Sequence, residues 1–143
     1  MGYIILSILF LGFCSLTDIR RKIIYTIPCF VVAGIGLIFH IILLDTTWWN
    51  QFAGIILGLI LLVLSFITGE AIGRGDALVV IALGFVLDAI MVLHIIFCAF
   101  VLVDIFAVIG GLVKKIKFKS TLQFIPFLFA SEIIILIFES VKI

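Results

Sequence analysis

Residues 77–113 read ALVVIALGFVLDAIMVLHIIFCAFVLVDIFAVIGGLV, a mostly apolar run of 37 residues that decides the fold. A helix that crosses the hydrocarbon of a bilayer needs about 20 apolar residues, so this run is too long for a single helix. Asp88 interrupts it near its first third. We therefore predict a turn at Asp88, between a short fourth helix that begins at Ala77 and a fifth helix from about Ala89 to Val113.

Four further apolar runs occur in the chain, separated by short polar segments. In lipid the backbone must satisfy its own hydrogen bonds, so long apolar runs become helices. The predicted ranges are Tyr3 to Thr17, Ile27 to Leu44, Gln51 to Thr68 and Leu122 to Phe138. Pro126 falls in the first turn of the last helix, where a proline is tolerated because the helix-start amides have no intrahelical acceptor.

The composition indicates an integral membrane protein. The 143 residues are 66% hydrophobic and 12% charged, against roughly 45–50% apolar residues in a soluble domain, and the mean hydropathy is +1.59. We expect one all-α domain over residues 1–143, with about six transmembrane helices and short loops. A net charge of +1 gives no reason to expect nucleic acid as a partner. The first helix lacks the basic segment and cleavage site of a signal peptide, so we expect it to be retained.

The basic residues predict the orientation, because short cytoplasmic loops are enriched in Lys and Arg. With six spans, eight of the nine cations fall on one side of the membrane, and only Lys142 falls on the other. We therefore expect a protein of the inner or plasma membrane, with both termini outside and three basic loops in the cytoplasm. The eight cations are Arg20, Arg21, Lys22, Arg74, Lys114, Lys115, Lys117 and Lys119.

Two aspartates lie at the cytoplasmic ends of predicted helices. Asp18 ends the first span in SLTDIRRKII, and Asp76 opens the fourth in GRGDALVV. Singly, each could serve as an interfacial anchor or interact with a helix dipole. Together on one face, two carboxyl groups can share a site in which one stays protonated and the other activates water, as in an aspartyl protease. We therefore predict Asp18 and Asp76 as the catalytic pair.

The segment before Asp76 is the predicted substrate-binding segment. Gly73 and Gly75 flank Arg74 and have no Cβ atoms. Their backbone can therefore take a positive φ or lie against an extended peptide. We predict that Gly73, Arg74 and Gly75 contact the substrate strand.

These residues resemble the motifs of the type IV prepilin peptidases, and of their small forms in particular. That family consists of membrane aspartyl proteases with a GxGD motif. DIRRKIIYT supplies Asp18, Ile19, Arg20 and Ile24 of a family pattern D-[LI]-R-x-x-x-I-P-N, and residues 73–76 supply GxGD. QFIPFLFAS, from Gln123, is similar to the family's final span. The chain departs from the pattern at Tyr25 and Thr26, where the family has Pro-Asn.

The resemblance implies an aspartic endopeptidase whose catalytic residues are Asp18 and Asp76. Its substrate would be a prepilin, pseudopilin or preflagellin, which is a single-span protein whose short basic leader is removed on the cytoplasmic side of the bilayer. No metal or other cofactor is expected. Methyltransferase activity is not expected either, because the paired CxxC motifs of the long bacterial forms do not occur among Cys14, Cys29 and Cys98. The oligomeric state is left open.

Two alternatives remain at this point. A small transporter or assembly protein would use the intramembrane residues His94, Asp104 and Glu132 to handle protons or cations. A protease of the presenilin type would cut within the membrane span of its substrate. That group carries its first aspartate in a Tyr-Asp pair inside a helix, whereas Thr17 precedes Asp18 here.

The other polar residues and glycines receive structural interpretations. Asp88 is expected in a solvated turn, and His94 and Asp104 in buried hydrogen bonds to other helices, with Glu132 as a partner of one of them. Glu70 could help to bind a basic leader. Four glycines are expected at close helix contacts: Gly34, Gly36, Gly54 and Gly58. The last two have a spacing that permits such packing.

Overall fold

The computed structural model describes residues 2–21, 26–43, 48–68, 73–112 and 124–141, and these ranges contain six α-helices and no strand. The helices in chain order are α1 (Gly2–Arg21), α2 (Thr26–Leu43), α3 (Trp48–Ile67), α4 (Arg74–Val86), α5 (Ala89–Leu112) and α6 (Ile125–Val141). The all-α prediction is thus confirmed for the described part of the chain.

The predicted break in the long apolar run is confirmed. Helix α4 ends at Val86 and α5 begins at Ala89, with Asp88 exposed between them. Pro126 is the second residue of α6, a position where the amide hydrogen that proline lacks would have no acceptor within the helix. Helix α1 differs from the prediction because it continues one turn beyond Thr17. Asp18 therefore lies inside the last turn of α1.

Helix α4 occupies the centre of the helix assembly. It contacts α1, α2, α3 and α5, and eight of its 13 residues are buried. At about 1.5 Å per residue, α4 is about 20 Å long, which is shorter than the roughly 30 Å of bilayer hydrocarbon. The helices around α4 carry many exposed large apolar side chains, among them Leu9, Phe30, Ile60 and Phe97. Protein therefore surrounds α4, and the other helices present the apolar outer surface.

Glycines bring α3 and α4 into close contact. A Cβ atom built on Gly84 of α4 would lie 2.6 Å from the backbone carbon of Gly54, and one built on Gly58 would lie 2.6 Å from Cγ1 of Ile81. The prediction of close packing is therefore confirmed for Gly54 and Gly58. It also holds for Gly36, whose added Cβ would lie 2.6 Å from the carbonyl oxygen of Phe85.

Gly34 corrects the prediction that all four glycines lie at close helix contacts. A Cβ atom built on Gly34 would meet nothing within 4 Å. The side of α2 at this residue is thus open, although Gly36, two residues later, is packed against α4.

We expect Gly84→Ala to destabilise the fold, because the added methyl group would overlap backbone atoms of α3 that cannot rotate away. Overpacking of this kind costs about 1–3 kcal/mol. Thermal unfolding in detergent should show a lower midpoint for Gly84→Ala than for the wild type. Gly34→Ala is the matched control, since its methyl group enters open space. Equal midpoints for the two variants would contradict the close α3–α4 contact.

Helix α6 packs against α1 and α5 through both polar and aromatic contacts. The Ser131 hydroxyl donates a hydrogen bond of 2.9 Å to the carbonyl oxygen of Ile95. The rings of Phe100 and Phe124 lie 5.0 Å apart, a favourable distance for an aromatic pair. These contacts fix the position of α6 beside α5.

Two of the helices in the described ranges are long and apolar enough to cross a membrane, over Gly2–Arg20 and Ala89–Gly110. Three shorter apolar helices cover Thr26–Phe39, Phe52–Ile67 and Ile125–Phe138. Length and composition therefore make integration into a bilayer physically feasible. Six complete spans stay a prediction.

Candidate active site

Asp18 lies in the last turn of α1, on a helix that contacts α4. Its side chain is buried, with 6% of its surface exposed. The residues beside it, Thr17 and Ile19, are more exposed than Asp18. The last turn of α1 therefore directs the carboxyl group inward.

Asp76 lies in the first turn of α4. Gly73 is the N-cap residue, with the extended backbone that this position prefers, φ −60° and ψ 133°. Its carbonyl oxygen accepts the amide hydrogens of Asp76 at 3.0 Å and of Ala77 at 3.3 Å. The Asp76 carboxylate in turn accepts a hydrogen bond from the Gly73 backbone amide. This is how an acid three residues after the N-cap acts in a capping box.

The Asp76 carboxylate explains the glycine at position 73. A Cβ atom built on Gly73 would lie 2.9 Å from Oδ2 of Asp76 and 3.3 Å from its Cγ. The carboxylate therefore fills the space that a side chain at position 73 would need. Of the two possibilities that the sequence left open for the glycines, Gly73 does not take a positive φ, because its φ is −60°. Instead, the lack of a Cβ atom at Gly73 lets the Asp76 carboxylate lie close to the Gly73 backbone.

The structure brings the two predicted catalytic residues together from separate helices. Asp76 lies just before the apolar segment of α4, which begins at Ala77. The pKa of Asp76 is raised to about 7, chiefly by burial and secondly by the negative charge of Asp18. The hydrogen bond from the Gly73 amide offsets part of this rise. The two carboxyl groups are therefore close enough for the charge of one to disfavour ionisation of the other.

The other predicted substrate-binding residues begin α4. The side chain of Arg74 is exposed, and its guanidinium carbon lies 5.0 Å from the ring centroid of Phe66 on α3. This is a cation–π contact, which holds the arginine at the edge of the α3–α4 interface. Gly75 is half-buried between Arg74 and Asp76.

A cysteine pair lies one helical turn from Asp18. The thiols of Cys14 on α1 and Cys29 on α2 are buried and form a hydrogen bond with each other. The sequence interpretation did not include this contact. The spacing of four residues between Cys14 and Asp18 places these two on one face of α1. Nothing in the sequence links Cys29 to either of them.

The remaining polar residues do not follow all of the predictions. Asp88 is exposed, as predicted. His94 and Asp104 are also exposed, so the prediction of buried hydrogen bonds to other helices is wrong for both. The Nδ1 atom of His94 lies 2.7 Å from the carbonyl oxygen of Ile90, within its own helix. Glu70 lies outside the described residues.

Glu132 has a different partner from the one predicted. It is fully buried in α6 and accepts a hydrogen bond from the hydroxyl of Ser7 on α1. Its predicted pairing with His94 or Asp104 is wrong. This bond joins α1 to α6, so the contact that Glu132 makes is a structural one.

The described ranges contain no group of three or more His, Cys, Asp or Glu side chains that could hold a metal ion. The candidate site consists of two acidic side chains on different helices and a glycine that accommodates one of them. Such a pair can bind a water molecule between its carboxyl groups and exchange protons with it.

Comparison with known families relates most of the chain to peptidases. Residues 5–108 match the family model of the type IV leader peptidases. The match covers nearly three quarters of the chain, from α1 to most of α5, and includes both Asp18 and Asp76. Neither a curated protein nor a solved structure matches the chain.

Proposed function

The chain belongs to the type IV leader peptidase family, and from that premise we propose that it is a membrane aspartyl endopeptidase with Asp18 and Asp76 as its catalytic pair. One observation carries the proposal. Two nearly buried carboxyl groups from α1 and α4 act on each other electrostatically, at the start of the central helix. Both belong to the segments that resemble the motifs of prepilin peptidases.

The proposed reaction is a direct attack of water on the scissile peptide bond. The ionised carboxylate of the pair accepts a proton from the water, whose oxygen bonds to the carbonyl carbon. The protonated carboxyl group donates a hydrogen bond to the carbonyl oxygen, where negative charge develops. The bond between carbon and nitrogen then breaks, and the leaving amine takes up the proton that the carboxylate accepted from the water. The two groups titrate as a unit, so the single proton belongs to the pair.

The raised pKa of Asp76 predicts how the cleavage rate depends on pH. Below a pH of about 7 the pair retains its shared proton, and above it both groups ionise and the acid is lost. We expect kcat/KM to fall about tenfold per pH unit on the alkaline side, because kcat/KM reports the ionisation of the free enzyme. Initial rates over a pH series would measure this. A profile that stays flat far above the pKa of Asp76 would contradict a shared proton.

The proposed substrate is a prepilin-like protein with one apolar helix and a short basic leader, in other words a prepilin, pseudopilin or preflagellin. Asp76 lies where the chain turns from polar to apolar. A bond cut there would lie at the same boundary in the substrate, between its leader and its apolar helix. In the proposed orientation this boundary faces the cytoplasm, and the leader extends past Gly73, Arg74 and Gly75. No metal, other cofactor or methyltransferase activity is part of this proposal.

The proposed function is tested by incubating the purified protein in liposomes with one substrate of each of the three types. Mass spectrometry of the products gives the new termini. We expect a single cut between leader and apolar helix in at least one substrate. The same substrate without its leader serves as the control and should stay intact. If none of the three substrates is cut, the proposal is wrong.

The described structure offers no support for the transporter alternative. Its three residues lie in different surroundings, because His94 and Asp104 are exposed on α5 while Glu132 is buried against Ser7. A proton pathway needs groups that connect with one another. The leader peptidase proposal accounts for Asp18 and Asp76, which the transporter alternative leaves without a role.

A further inference from the structure

Two thiols from different helices meet one helical turn from Asp18. Cys14 lies on α1 and Cys29 is the fourth residue of α2. Both are buried, and they form a hydrogen bond with each other. Helices α1 and α2 are also in contact. A disulfide needs two cysteines whose side chains already lie close together. The packing of α1 against α2 therefore brings together the two partners that such a bond needs.

An apolar groove between α2 and α4 leads to Cys29. Its cavity volume is about 260 Å³, and of the nine residues that line it only Cys29 carries a side-chain atom other than carbon or hydrogen. Phe30 of the same lining is exposed on the apolar outer surface, so the groove is open to the surrounding lipid. A charged molecule would lose its hydration in such a groove. An uncharged, lipid-soluble molecule is therefore the kind of reagent that can reach Cys29.

We propose that a lipid-soluble quinone in this groove oxidises Cys14 and Cys29 to a disulfide, and that the disulfide stops cleavage. The effect on cleavage rests on the proposed function. In the oxidation two S–H bonds break and one S–S bond forms. The two electrons and two protons that are released convert the quinone to a hydroquinone. Because the cytoplasm keeps thiols reduced and its disulfides are mostly transient, the reduced and active form is the resting state.

The disulfide acts on catalysis through the last turns of α1. Its sulfur atoms lie about 2.05 Å apart, closer than two hydrogen-bonded thiols can lie. Cys14 must therefore be drawn towards α2 when the bond forms. Asp18 follows Cys14 by one helical turn on the same face of α1, so it moves with Cys14. The Asp18 carboxyl group is thereby displaced from its position beside Asp76.

The oxidation is tested on the purified protein in liposomes that contain duroquinone, in the absence of oxygen. Duroquinone is uncharged and carries a methyl group at each ring position, which disfavours the addition of a thiol to the ring. Mass spectrometry of a digest made without reductant should show residues 14 and 29 in one crosslinked peptide pair. Oxidised glutathione, which is charged, should leave both thiols reduced. Thiols that stay reduced with duroquinone, or that glutathione oxidises equally well, overturn the inference.

Cleavage kinetics on the same samples test the effect on catalysis. We expect kcat of the oxidised wild type to fall about 100-fold, the loss that a displacement of roughly 1 Å can cause, and to recover with dithiothreitol. Cys29→Ala should keep the wild-type kcat with and without duroquinone. Cys98→Ala is the matched control, because Cys98 lies on α5 outside the pair, and it should be inhibited like the wild type. Inhibition of Cys29→Ala by duroquinone overturns the inference.

Thermal unfolding shows whether the lost cleavage reflects a local change. A disulfide restricts the unfolded chain, so the oxidised protein should unfold at a higher temperature than the reduced protein. A lower midpoint would mean that oxidation unfolds the protein, and it would overturn the inference.

The two readouts separate this inference from the proposed function. If the reduced wild type cuts no prepilin-like substrate, the proposed function is wrong, while mass spectrometry still decides whether the disulfide forms. If the reduced wild type cuts and the fully oxidised protein cuts at the same rate, the proposed function stands and the disulfide switch is wrong.

Discussion

Asp18→Asn and Asp76→Asn should each abolish peptide cleavage while the protein stays folded. Asparagine has nearly the shape of aspartate, but it can neither accept the proton of water nor donate one to the carbonyl oxygen. We expect the rate to fall at least about 1,000-fold in each variant, within the range attributed to acid–base groups. Initial cleavage rates in liposomes, together with thermal unfolding of each purified variant, measure the effect.

Two other aspartates provide matched controls for the same change. Asp88 and Asp104 are both exposed, and neither belongs to the proposed site. Asp88→Asn and Asp104→Asn should therefore cut at close to the wild-type rate. A folded Asp18→Asn or Asp76→Asn protein with undiminished cleavage would refute the catalytic pair. Loss of cleavage in a folded Asp104→Asn protein would instead show that cleavage needs an aspartate outside the proposed pair.

Gly73→Ala should reduce the cleavage rate about 100-fold, because a displacement of roughly 1 Å in a reacting group can cost that much. The added Cβ atom would lie 2.9 Å from Oδ2 of Asp76, closer than real Cβ atoms approach an oxygen. The carboxylate must therefore move away, and its hydrogen bond from the Gly73 amide weakens. The loss should appear in kcat, measured at saturating substrate.

Gly34→Ala is the control for this substitution, since its methyl group meets no atom within 4 Å. It should leave kcat unchanged. Thermal unfolding should show Gly73→Ala to be as stable as Gly34→Ala to within a few degrees, because only one side chain must shift. Normal cleavage by Gly73→Ala would contradict the position of the Asp76 carboxylate described above.

The helices and their order could be predicted from the sequence because the polar interruptions are sharp. Asp88 divides the long apolar run where the structure has a turn, and Pro126 falls where a helix begins. The spacing of Gly54 and Gly58 likewise predicted a close helix contact, and the structure shows that its partner is α4. Each of these features depends on residues that are near one another in the chain.

Contacts between distant helices could not be predicted in the same way. A helix that is apolar on all sides gives no indication of which side faces a neighbour. The bond between Ser7 and Glu132 and the bond between Cys14 and Cys29 both depend on how such helices are rotated. The proximity of Asp18 and Asp76 was easier to predict, because alternating spans place the C-terminal end of the first helix and the N-terminal end of the fourth on the same side of the bilayer.

The reason for the glycine at position 73 also required the structure. A glycine before an aspartate is compatible with a positive φ, with a close substrate or with a close side chain. Only the position of the Asp76 carboxylate against Gly73 distinguishes the third of these. The exposure of His94 and Asp104 likewise depends on the rotation of α5, about which its uniformly apolar sequence says little.

The measurement that tests the catalytic pair most directly is a double-mutant cycle on kcat/KM with wild type, Asp18→Asn, Asp76→Asn and the protein that carries both changes. Residues that act as one unit are strongly non-additive, so removing the second costs little once the first is gone. We therefore expect the double variant to be about as slow as either single variant. Losses that multiply in the double variant, or a single variant that keeps the wild-type rate, would show that Asp18 and Asp76 do not act together.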